Sequence, residues 1–252
     1  MKERLFNIKE YIDKNGKVSF HELEKTFPDI SSMTLRRDLA KLEEQHAIIK
    51  IPGGAISVDS FIHTKETDVT ARINLNATKK IEIAEKAVSL IEPKSCVFID
   101  GGSTTTYFAR ALKDENYYVI TNAMIIAETI LRKEKPSVAF LGGDLMRNEL
   151  IAVGKTCSDF ISSLNIQTAV MTSTGFIKDS GQFTCGSQAE ADVKRAVIKK
   201  ADLVIMLLDS SKANKKTPYS FASLEDINCM VVDSDFPLEL IEKIKAKGIK
   251  IV

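Results

Sequence analysis

The sequence predicts an α/β protein in two parts: an N-terminal winged helix-turn-helix domain, then a larger domain on a mostly parallel sheet. Three observations predict it. Residues 1–56 carry apolar residues at helical spacing followed by a glycine hairpin. From residue 79, short apolar runs alternate with amphipathic stretches, the pattern of parallel strands covered by helices on both faces. Between them, 57–78 is polar and weakly patterned and reads as a linker turning helical toward its end. The length of 252 residues suits about two domains.

In the first part, Leu5, Ile8, Tyr11 and Ile12 recur at helical spacing, and Asn15-Gly16 stops that helix. Ser19, with Glu22 three residues on, forms a capping box for a second helix. Phe20, Leu23 and Phe27 face inward, and Pro28-Asp29 ends it. Ser31 or Ser32 caps a third, "MTLRRDLAKLEEQ", with Leu35, Leu39 and Leu42 on its inner face. "AIIKIPGGAISV" then gives two extended runs around Pro52-Gly53-Gly54. In the second part the strand runs are "CVFID", "YYVIT", "SVAFLG", "TAVMTS", "DLVIMLLD", "CMVVD" and "GIKIV". Between most of them lie helical patterns such as "KKIEIAEKAVSLI", "TTTYFARALKD" and "AEADVKRAVIKKA".

Composition narrows the function classes. The hydrophobic fraction is 44% and the charged fraction 27%, as in ordinary globular proteins. A net charge of +1 argues against non-specific coating of nucleic acid while leaving room for a local reading head. Apolar runs such as "LVIMLL" are too short to span a bilayer, and the N-terminus lacks the apolar core of a signal peptide. Cys96, Cys157, Cys185 and Cys229 show no CxxC spacing, so they read as reduced thiols of a cytoplasmic protein without a metal site.

A tight turn before a third helix is the geometry that sets a recognition helix in the major groove. The candidate contacts are Ser31, Ser32, Met33, Thr34, Arg36, Arg37 and Lys41 around that helix, with Lys50 on the wing. Arginine pairs with guanine or grips phosphate; hydroxyls and a helix N-terminus suit phosphate oxygens. The same pattern also fits a small helical domain with a solvated arginine face.

In an open parallel sheet, ligands bind at the carboxyl ends of the strands. Five such ends carry small polar residues: Asp100, Gly101, Gly102, Ser103, Thr104 and Thr105; Thr121 and Asn122; Gly142 and Gly143; Thr172, Ser173, Thr174 and Gly175; Asp209 and Lys212. Glycines and a hydroxyl-rich helix start suit a phosphate. Asp100 suits sugar hydroxyls better than phosphate, because like charges repel. Lys194 and Lys212 supply positive charge, and Glu190 stands four residues before Lys194; a plain surface helix pair is the alternative there.

"ISSMTLRRDLAKLEEQHAIIKIPGGA", "DGGSTTTYFARAL", "VITN", "LGGDL", "EADVKRAVIKKA" and "LLDSSK" resemble the DeoR family of bacterial transcriptional regulators over nearly the whole chain. Ser31, Thr34, Leu35, Arg36, Arg37, Asp38 and Leu39 match its recognition helix. The resemblance implies a sensor domain with the fold of ribose-5-phosphate isomerase and a phosphorylated sugar or sugar alcohol as effector. It also implies a dimer or, better, a tetramer on double-stranded operator DNA. The related isomerases carry Asp residues in the loop after the fourth strand, where this chain has Thr172, Ser173 and Thr174. Hydroxyls need a partner base for such chemistry. The expectation is therefore a repressor of a carbohydrate operon, not an enzyme, with no cofactor, no metal and no membrane. The alternative is an isomerase-like enzyme with a helical appendage. Many family members keep an Asp near Thr174, which makes that loop a point of departure.

Overall fold

The computed structural model describes residues 2–45, 47–51, 53–57 and 69–252. They fall in two compact units, Met1–Thr67 and Asp68–Val252. Residues 58–68 of the expected linker and Pro52 of the expected hairpin lie outside the described residues.

The first unit contains α1 (Lys2–Asn15), β1 (Lys17–Ser19), α2 (Phe20–Thr26), α3 (Ser32–Glu44), β2 (Ile48–Ile51) and β3 (Gly54–Ser57). Gly16, at φ 73°, ends α1 where a side chain would be strained. The capping box forms as read: the Glu22 amide donates to Ser19 Oγ at 3.2 Å, and the Ser19 amide to Glu22 Oε2 at 2.7 Å. Ser31, not Ser32, caps α3, accepting from the Thr34 amide. Ile8, Ile12, Leu23, Leu35, Leu39, Leu42 and Ile48 form the core. β1, unforeseen in the sequence because it spans three residues, joins the hairpin in an antiparallel sheet of order β1-β3-β2.

In the second unit, α4 (Val69–Asn74) and α5 (Ala77–Val88) precede the sheet. All seven strands read from the sequence form one sheet: β4 (Cys96–Ile99), β5 (Tyr118–Thr121), β6 (Ser137–Phe140), β9 (Ile166–Thr172), β12 (Ala201–Leu208), β14 (Cys229–Val232) and β15 (Lys250–Ile251). Every pairing in it is parallel. The strands are apolar throughout because both faces are covered; Phe98, Val170, Met206, Leu207 and Val231 are fully buried. The covering helices are α5, α6 (Ser103–Ala111), α7 (Met124–Leu131), α8 (Lys155–Ser162), α9 (Gln188–Lys200) and α10 (Leu238–Ala246). A hairpin of β7 (Asp144–Met146) and β8 (Ile151–Val153) stands apart from the sheet. β10 (Gly175–Ile177), β11 (Gln182–Cys185) and β13 (Tyr219–Ser223) form a second small antiparallel sheet.

The strand order is β15-β14-β12-β9-β4-β5-β6. The chain runs outward from β4 to β6, then returns to β9 beside β4 and runs outward the other way. The carboxyl ends of β4 and β9 therefore flank the topological switch point, where open α/β sheets take ligands.

Candidate functional site

A small cleft opens at that switch point. The loop into α6 contributes Gly101 to Thr104, and the loop after β9 contributes Thr172 to Thr174. α9 adds Glu190 and Lys194, and the turn after β12 adds Lys212. Arg72 from α4 and Glu149 from the turn between β7 and β8 complete the lining.

A buried charge pair lies in its wall. Lys194 Nζ donates to Asp100 Oδ2 and, at 3.1 Å, to the Thr172 carbonyl. It also stands 3.4 Å from Glu190 Oε1 and 5.1 Å from the centre of the Phe221 ring. Burial alone would lower the Lys194 pKa; the charges of Asp100 and Glu190 outweigh it and hold the ammonium charged. Burial pushes the Glu190 carboxyl up, against the pull of Lys194. Asp100, 2% exposed, also accepts from the Thr172 amide at 3.1 Å. The Asp100 carboxylate is thus committed to Lys194 and Thr172, behind the residues that line the cleft.

The donors left open point to an anion. Lys212 lines the cleft, its ammonium has no ion pair or hydrogen bond among the described residues, and burial lowers its pKa. Arg72 pairs with Glu149, yet its Nε is buried without a partner. α6 begins at Ser103, so its first amides face the loop. The two glycines before it are required by close packing: a Cβ on Gly101 would overlap Ile151 Cγ2, and one on Gly102 would overlap Thr172 Cγ2.

In the first unit, Arg4 grips the buried Asp38 through Nε at 2.6 Å and Nη2 at 3.1 Å, fastening α3 to α1. Asp38, part of the signature, is thus a structural anchor, not a DNA contact. Arg36 lies over the Phe20 ring at 4.8 Å. Ser32 Oγ donates to Glu24 Oε1 at 2.5 Å, and the Lys50 ammonium stands 3.4 Å from Glu43. Ser31 Oγ lies 2.9 Å from Thr34 Oγ1. Met33 and Arg37 are exposed, and Lys41 is half-buried.

A helix-turn-helix head before a separate cleft-bearing sheet is the plan that family comparison returns. Residues 4–61 match the model of the DeoR-like helix-turn-helix domain, and residues 75–234 that of the DeoR C terminal sensor domain. The chain belongs to the DeoR family. It is a DNA-binding transcriptional regulator, not an enzyme. It is 31% identical to the HTH-type transcriptional repressor GlcR of Bacillus subtilis over 92% of this chain and 88% of that one. It is 29% identical to the glycerol-3-phosphate regulon repressor of Escherichia coli, over 95% and 94%. It is 30% identical to the lactose phosphotransferase system repressor of Staphylococcus epidermidis, over 97% and 96%. Ribose 5-phosphate isomerase A of Methanocaldococcus jannaschii aligns at 16% identity over 55% of each chain, with a TM-score of 0.41.

In this DeoR-family chain several residues expected at the cleft stand elsewhere. The end of β5 carries the hairpin instead of facing ligand: Asn122 Nδ2 donates to the Ala152 carbonyl at 2.8 Å, and the Ala152 amide to the Asn122 carbonyl at 2.7 Å. Thr121 Oγ1 is spent on the Ile99 carbonyl. Gly142 and Gly143, after β6, lead into β7 and do not line the cleft. Thr105 Oγ1 turns back to the Gly102 carbonyl at 3.0 Å. Gly175 packs against Lys215 and Thr184, and Asp209 caps the turn after β12 by accepting from the Ser211 amide at 3.0 Å. Arg72 and Glu149 were missed because neither follows a sheet strand. The one available signal was a basic residue in the helical end of the linker. Among the described residues no helix is long and apolar enough to cross a membrane.

Proposed function

We propose that this regulator represses a carbohydrate-utilisation operon and that a phosphorylated sugar or sugar alcohol in the cleft modulates its hold on operator DNA. One observation carries the reading: three kinds of donor without partners, Lys212 Nζ, Arg72 Nε and the first amides of α6, surround one small cleft. Those donors suit a phosphate. The carboxylates of Glu149 and Glu190 in the same lining suit hydroxyls. The relatives named for glycerol-3-phosphate and for lactose phosphotransferase support the ligand class without naming the ligand.

Arg72 gives the signal a path, because α4 is the first described element after residues 58–68. Its start is tied by the Val69 amide to the Asn148 carbonyl at 2.8 Å, in the turn that holds Glu149. The Arg72 carbonyl in its last turn, and that of Leu75 just beyond it, accept from the buried Lys80 ammonium. A ligand drawing on Arg72 changes the energy of that helix, and it shifts operator affinity by its differential affinity for the two states. Symmetric operators call for two reading heads, hence at least a dimer.

The test is a thermal-shift screen of the purified protein against phosphorylated sugars, polyol phosphates and their unphosphorylated parents. A hit at ~100 times its dissociation constant stabilises by about 2.7 kcal/mol, and the same compound should change operator affinity in a mobility-shift assay. Equal stabilisation by the unphosphorylated parent would sink the phosphate assignment.

A further inference from the structure

Arg36 and Arg37 are adjacent in sequence, but α3 sends them different ways. At ~100° per residue, the buried Leu35, Leu39 and Leu42 define the inner face, and Met33, Arg37 and Ala40 fall opposite it. Arg36 falls on one flank, beside Ser32 and Glu43. Three contacts fix which flank that is. Ser32 reaches Glu24 of α2, Arg36 lies over Phe20 at the start of α2, and Glu43 accepts from the Lys50 amide of the wing at 3.1 Å. The groove beside Arg36 is bounded by Phe20, Lys50 and Gly53, and the Phe20 amide ties the wing by donating to the Gly53 carbonyl at 2.8 Å. Met33 is 73% exposed, and Arg37 is exposed with no partner among the described residues.

We infer that Arg37, with Met33 beside it, reads base edges, whereas Arg36, steadied by Phe20, grips the phosphate backbone together with Lys50 of the wing. In a winged head, α3 enters the major groove with its outermost face and the wing lies beside the backbone. The outermost side chains are therefore those that reach base edges. Arg37 has the length and the fork to pair with guanine N7 and O6, and Met33 offers an apolar surface suited to a thymine methyl. Arg36, on the flank between helix and wing, faces the strand that runs between them. Phe20 holds its guanidinium in place, so less side-chain freedom is lost on contact. This inference rests on the reading of the first unit as a DNA-binding head.

The experiment is selection of bound sequences from a random duplex library by the full-length protein, repeated with Arg36→Ala, Arg37→Ala, Arg36→Lys and Arg37→Lys. Equal melting temperatures confirm folding. Arg37→Ala should flatten the preference at one base-pair position, with a loss of roughly 5- to 150-fold on the selected site, the worth of one bidentate base contact. Arg37→Lys should not restore that preference, because a point charge lacks the fork. Arg36→Ala should weaken binding about equally on all sequences and reduce the salt slope by about 0.9, one phosphate contact fewer. Arg36→Lys should recover most of that loss. The reverse pattern, or uniform loss in both alanine variants, overturns the assignment. If the unsubstituted protein selects no sequence, the DNA-binding reading fails and this inference with it; if it selects one and the variants behave alike, only this inference fails.

Discussion

Arg72 and Glu149 form an ion pair in the lining of the cleft, joining the helix after residues 58–68 to the turn of the β7–β8 hairpin. Their side chains are 15% and 11% exposed, so the pair is largely shielded from water and from salt. A phosphate entering the cleft competes with Glu149 for the guanidinium.

Arg72→Ala should therefore raise the dissociation constant of the phosphorylated ligand about 10- to 150-fold, the usual worth of a hydrogen bond to a charged group. Operator affinity without ligand, measured beside it, reports what loss of the Arg72–Glu149 pair by itself does to DNA binding. Isothermal titration and a mobility-shift assay check both. An unchanged dissociation constant would remove Arg72 from the site.

The Asp100–Lys194 pair makes a different prediction, because both side chains are almost fully buried. Lys194→Met leaves Asp100 buried without its cation, which costs about 3–5 kcal/mol; Asp100→Asn should cost less, because Lys194 keeps Glu190 at 3.4 Å. The double substitution should recover part of that loss. Urea unfolding of the three variants measures it, and additive losses would show that the two groups do not depend on each other.

How much of this was legible in the sequence follows from the range of each interaction. The strands and helices of the second unit show in apolar runs such as "LVIMLL", because burial on both faces acts on every residue of a strand. Capping by Ser19 and Glu22 is legible because it spans three residues. The β4 and β9 contributions to the cleft follow from a topological rule. The β5 and β6 contributions were expected by the same rule, yet Asn122 supports β8 instead. The docking of that hairpin on the end of β5 rests on contacts between residues 30 apart, which no local pattern records. Arg72 and Glu149 stand 77 apart and were illegible for the same reason. The pairing of Asp100 with Lys194 was illegible likewise, since the two lie 94 residues apart.

Gly102→Ala should destabilise the protein by about 1–3 kcal/mol, the usual cost of forcing a methyl group into a packed interior. The added carbon would meet Thr172 Cγ2. Thr172→Ser removes that methyl, so the double variant should regain most of the loss. Denaturant midpoints decide it; a fully stable single variant would mean that the loop yields easily.

Glu190 gives a pH test. Burial raises its folded-state pKa above the ordinary 4.5, so the folded protein holds that proton more tightly than the unfolded chain. Its contribution to stability is complete below the ordinary value and lost as pH rises through the raised one. Stability of Glu190→Gln relative to the unsubstituted protein should therefore increase between about pH 4.5 and neutral pH. Thermal melts across that range measure it; a difference that is flat or falls with pH contradicts it.

The packed glycines have a consequence for how such a sensor diversifies. Ile151 and Thr172 already fill the space above Gly101 and Gly102, so a side chain at either glycine requires a compensating change in its neighbour. Single substitutions have more room at the hairpin turn around Glu149 and in the hydroxyl loop at Ser173 and Thr174. A duplicated copy of this gene could change its ligand there while the glycine floor and the sheet beneath it were inherited unaltered.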